Sequence, residues 1–118
     1  MGLFNKLDLS ANYDAIDAEI VQTNLLMMTQ SKERQAAIKK LRVGSLVTLN
    51  RTRQNKQTVY VVHDFKTDRI IGEISYGTSD YLDQNYKNHK MLGKVTEIGQ
   101  ITPNCQGKQV RIEYKVYL

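Results

Sequence analysis

At 118 residues and 13.6 kDa the chain has room for one hydrophobic core and too little length for two. Its 17 Lys and Arg against 12 Asp and Glu leave a formal net charge of +5 and a pI near 9.4, a balance that permits attraction to a polyanion without requiring one. An apolar share of 41% excludes wholesale disorder, and the single cysteine, Cys105, excludes an intramolecular disulfide and a cysteine-based zinc cluster.

No run approaches the roughly 18 apolar residues that cross a bilayer, and no signal-peptide core opens the chain. With its lone cysteine, the chain is expected in the reducing cytoplasm and off the membrane. Residues 1–19 mix Leu3, Phe4, Leu7 and Leu9 with Asp14, Asp17 and Glu19 and read as an N-terminal arm; residues 20–118 read as one domain. Ile20 to Met28 is too densely apolar for a loop and is read as the first strand, although Leu25 to Met28 also suits a helix. Ser31 predicts the cap of a helix from Lys32 to Leu41, with Glu33 at the positive end of its dipole and Ala37, Ile38 and Leu41 inward. Gly44 is expected to stop it.

Ser45 to Arg51 and Thr58 to Phe65 predict two strands, with Val47 and Leu49 on one face of the first. The polar run from Arg51 to Gln57 reads as the hairpin loop between them. Lys66-Thr67-Asp68 turns the chain into a strand from Arg69 to Ile74, where Gly72 marks a bulge or a close backbone approach. Tyr76-Gly77-Thr78-Ser79 reads as a break before a helix from Asp80 to Tyr86, with Tyr81, Leu82, Asn85 and Tyr86 on one side. Met91 to Ile98 returns to strand. After a turn around Pro103 to Lys108, the residues Val110, Ile112, Tyr114 and Val116 alternate with Arg111, Glu113 and Lys115 and predict a strand with one buried face.

No catalytic centre is legible. His63 and His89 fall in different elements, and no metal-ligand spacing, phosphate loop or nucleophile elbow occurs, so neither enzyme activity, cofactor nor metal is expected. Binding chemistry is better represented. Arg51, Arg53 and Lys56 occupy one predicted loop, Lys39, Lys40 and Arg42 end the preceding helix, and Lys66 and Arg69 flank the next turn. Brought together, they would form a basic rim that neutralises phosphates, although cations at a helix end also serve its dipole. Seven tyrosines offer stacking surfaces, of which Tyr60 and Tyr76 lie nearest the basic segments, with core packing the alternative for Tyr60, Tyr81 and Tyr114.

The runs Leu41-Arg42-Val43-Gly44-Ser45-Leu46-Val47-Thr48-Leu49, Val59-Tyr60-Val61-Val62, Arg69-Ile70-Ile71-Gly72-Glu73-Ile74 and Val95-Thr96-Glu97-Ile98, taken in order, resemble a HIRAN domain. The resemblance spans Ile20 to Ile98. It implies a small OB-like antiparallel β-barrel, closed or partly open, of the kind found attached to remodelling helicases and alone in bacteria and phages, where it captures DNA ends. The family's Asn-x-Tyr-Asp-x-Asn-Ala segment is replaced here by Arg53-Gln54-Asn55-Lys56-Gln57-Thr58, and Glu73 stands for the aromatic after Gly72. The resemblance therefore carries the fold further than it carries the end-binding pocket. The expectation is a non-enzymatic nucleic-acid-binding module for single-stranded DNA, its contacts made by Arg51, Arg53, Lys56, Tyr60, Lys39, Arg42 and Arg69. The alternative is a protein-interaction adaptor that keeps the barrel and lacks the pocket.

Overall fold

β-branched stretches and two short helical ones follow one another as β1 (Ile20–Leu25), α1 (Lys32–Ile38), β2 (Leu46–Gln54), β3 (Gln57–Asp64), β4 (Ile70–Glu73), α2 (Tyr76–Tyr86), β5 (Met91–Gln100) and β6 (Lys108–Val116). The computed structural model describes residues 20–100 and 107–117, so the expected arm and most of the turn at 103–108 lie outside the described residues. All six strands pair antiparallel in one sheet of order β1-β6-β5-β2-β3-β4. The mainly β architecture with two short helices is as the sequence predicts. The sheet is not closed: β1 and β4 are its edges, joined among the described residues by an isolated bridge from Met27, just after β1, to Glu73 of β4. There Met27 N–H donates to the Glu73 carbonyl at 2.8 Å and Glu73 N–H returns the bond at 2.9 Å.

Alternation along β6 works as expected, with Val110, Ile112, Tyr114 and Val116 all fully buried. They pack with Val47, Leu49, Tyr60, Val62, Ile71, Ile74, Leu82 and Val95 into the core. Helix α1 contributes Ala37 and Ile38 to that core. Its expected cap forms: the Ser31 hydroxyl accepts from Arg34 N–H at 3.2 Å. Gly72 shows the predicted close approach, since a Cβ there would meet Leu26 Cβ at 3.0 Å and the Met27 carbonyl at 3.1 Å. The β3–β4 register also shifts beside it, between Val62 and His63.

Four boundaries differ from expectation. The first strand ends at Leu25, because the chain kinks at Met28, whose φ is +56°. Helix α1 ends at Ile38, and Gly44 serves the later turn into β2, with φ +96°. The run from Arg51 to Gln57 is not a loop. Strands β2 and β3 continue in register to Gln54 and Gln57, and only Asn55 and Lys56 turn, both with positive φ (51° and 65°), as a two-residue type I′ hairpin requires. Helix α2 starts at Tyr76, with Ser75 as its cap position, so the residues read as a break form its first turn.

Candidate functional site

Period two places Val47, Leu49, Arg51 and Arg53 on one face of β2, and the register sets Val62, Tyr60 and Thr58 beside Leu49, Arg51 and Arg53 on β3. The hairpin therefore begins in the core and carries the same face beyond it. Helix α2 lies against β3. Its Ser79, fully buried, accepts from Tyr60 N–H at 3.1 Å and donates to the Ile74 carbonyl at 3.2 Å.

Asp83, one turn further along α2, meets the basic strand. It accepts a hydrogen bond from Arg51 Nε and another from the Thr58 hydroxyl at 3.2 Å. The Arg51 bond, followed by that of Thr58 and the nearby charges of Arg51 and Lys87, holds the Asp83 carboxyl below its usual range against an opposing desolvation effect. Arg53 folds back on its own hairpin, its Nη1 donating to Thr58 Oγ1 at 2.8 Å and its Nη2 to the Lys56 carbonyl at 3.0 Å. These bonds fix the Arg51 guanidinium against α2 and that of Arg53 against its own hairpin. They also make Arg51 half of an ion pair, which the sequence could not reveal, because Asp83 is brought to it only by the packing of α2.

Arg53, Lys56 and Thr58 form one wall of a groove of about 430 Å³, and Tyr76 with Asp80 of α2 forms the other. Tyr76 is 54% exposed. Tyr60 is only 2% exposed, so its ring belongs to the core and the expected stacking surface there is corrected. Tyr76 is the exposed ring that the fold sets beside the basic hairpin.

The expected single basic rim is also corrected. Lys39 and Arg42 precede the first residue of β2, and Arg69 follows the turn at the end of β3, so all three lie at the base of the hairpin. The tip, with Arg53 and Lys56, is separated from that base by the nine residues of β2, about 26 Å at the usual strand rise. Arg69 lines a separate hollow of about 840 Å³ with Lys32, Glu33, Arg34 and Asp68, whose charges are of both signs.

His63 donates Nδ1–H to the Asp68 carbonyl at 3.0 Å, while Asp64 accepts from Thr67 Oγ1 at 2.7 Å, so both residues organise the β3–β4 turn. Among the described residues no group of three or more His, Cys, Asp or Glu is placed to hold a metal ion, and no helix is long and apolar enough to cross a membrane. Comparison with family models, curated proteins and solved structures returned no match.

Proposed function

We propose that this protein is a non-enzymatic nucleic-acid-binding module whose ligand is single-stranded DNA, including DNA ends. The observation that carries the reading is the groove at the hairpin tip, where exposed Tyr76 faces Arg53 and Lys56. A base stacks on the ring while the adjacent phosphates meet the two cations, and every base has a π-face, so the contact tolerates any sequence. The reading takes the fold as a partly open OB-like barrel of HIRAN type acting in the cytoplasm; for the barrel, its support is the bridge between Met27 and Glu73, which brings the two ends of the sheet together. No bound cofactor is needed for this chemistry.

Anisotropy of a labelled single strand across a salt series tests the reading. Tyr76→Ala should weaken binding about tenfold, in the lower half of the usual range for base stacking, and leave the salt slope unchanged because no charge is lost. Arg53→Ala with Lys56→Ala should lower the slope of log affinity against log salt by about 0.7 for each lost phosphate contact. Absence of binding at low salt would instead favour the protein-interaction adaptor. That second reading has its own observation: Val21, Met27 and Met28 are exposed on or next to the β1 edge of the sheet.

A further inference from the structure

A second cleft opens on the hairpin, where β2 parts from β5. The two strands pair only through Leu46 to Thr48, so from Leu49 onward the β5-facing edge of β2 has no strand beside it among the described residues. The α2–β5 connection, Lys87 to Lys90, closes the far side of a space of about 450 Å³, within the size range of small-ligand sites. Its walls include Leu49, Arg51, Tyr60, Lys87, His89 and Lys90, and among the described residues no carboxylate lines it. Arg51 spends Nε on Asp83, and among the described residues its two terminal nitrogens have no partner.

Tyr60 supplies the observation that points to a ligand. Its ring is buried, yet its hydroxyl is buried without a hydrogen-bond partner among the described residues. An orphaned buried hydroxyl is destabilising, and a phenylalanine would fill the same space without that cost. Burial and, after it, the charge of Asp83 push the Tyr60 pKa upward, so the group is a neutral donor at ordinary pH. The closing loop is held in place: His89 Nδ1–H donates to the Tyr117 carbonyl at 2.7 Å, and the His89 ring meets Tyr86 edge-on at 5.5 Å. A site held in this way spends little ordering entropy on binding.

We propose that this cleft binds a phosphomonoester, with the Tyr60 hydroxyl and the Arg51 terminal nitrogens donating to its oxygens and Lys87 balancing its charge. The phosphate is either the terminal group of a strand or that of a free mononucleotide. Only the first source rests on the nucleic-acid reading.

Binding is measured for short single strands with and without a terminal phosphate, and for adenosine 5′-monophosphate against adenosine. The phosphorylated partner should bind about tenfold more tightly in at least one pair, as expected for charge-assisted hydrogen bonds. Tyr60→Phe should erase most of that preference while melting no lower than wild type, a combination that a purely structural tyrosine would not give. Lys87→Gln, at an exposed helix end, should reduce the preference without affecting the fold and so serves as the check if Tyr60→Phe misfolds. Lack of phosphate preference in both pairs overturns the cleft proposal, as does a preference that survives either substitution. Strands bound equally with and without the phosphate, with no mononucleotide binding, would sink the cleft and leave the groove reading standing. Preference for the mononucleotide alone, with no strand bound, would do the reverse.

Discussion

Tyr114 faces Gln22 directly across the β1–β6 ladder and donates its hydroxyl to Gln22 Oε1 at 3.0 Å. Burial first, and the neighbouring Tyr81 second, push its pKa to about 12 from an ordinary value of 10. The raised value means that the native state holds this proton more tightly than the unfolded chain does. Its contribution is complete below pH 10 and is lost as pH rises toward 12. Urea titrations at about pH 9 and about pH 11.5 should show the wild type losing about 2 kcal/mol more than Tyr114→Phe over that interval. Equal losses would mean that the hydroxyl is not buried as described. Tyr114 was legible in the sequence because polar residues flank it on both sides and alternation selects its face. Tyr60 was not, because Val59 and Val61 are apolar and buried too, so both faces of β3 look alike in the sequence.

The β2–β3 hairpin was the element most misread, and the cause is local. Asn55-Lys56 lacks the glycine that signals a type I′ turn, so seven polar residues read as a loop although all of them continue a ladder or make its turn. With φ of +65°, Lys56 bears a left-handed conformation that an L-residue adopts only at a cost. Lys56→Gly should therefore stabilise the protein by about 0.5–1 kcal/mol in denaturant melts, since glycine accepts the angle but gains freedom when unfolded. The same variant should lower the DNA salt slope by about 0.7, because one cation leaves the groove. Stability and affinity would then move in opposite directions. Helix α2 was shortened in the reading for a similar reason, as Gly77 is a poor helix former and its first turns are held by the burial of Ser79 and Leu82 and by the Ser79 hydrogen bonds to Tyr60 and Ile74.

Across the whole molecule, the order of elements was readable, but the places where distant ones meet were not. Basic residues that seem clustered in sequence are sorted to the two ends of one hairpin, and the edges of the sheet are joined by a contact between β4 and a kink after β1. Arg34 of α1 secures that junction: its Nη1 donates to the Met28 carbonyl at 2.7 Å and to Glu73 Oε2 at 2.9 Å. Glu73 is almost fully buried, so Arg34→Leu would strand its carboxylate without a partner. The expected cost is about 2–3 kcal/mol, somewhat less than for a fully buried pair because Arg34 is partly exposed. Hydrogen exchange should report the site of damage, with the Met27 and Glu73 amides losing protection before those of β5 and β6.

The pairing of β1 with β6 also dictates how the chain can be assembled. Gln22 and Tyr114 are neighbours in the sheet although 92 residues separate them in sequence. During synthesis β1 emerges before the other described strands and β6 after them, so the intervening strands form before β1 gains its ladder. A contact that spans so much chain is costly to close early, and proteins dominated by such contacts fold slowly. Until β6 leaves the ribosome, β1 lacks the strand it pairs with and presents both of its edges unpaired, the condition under which nascent β-chains are most exposed to wrong pairings.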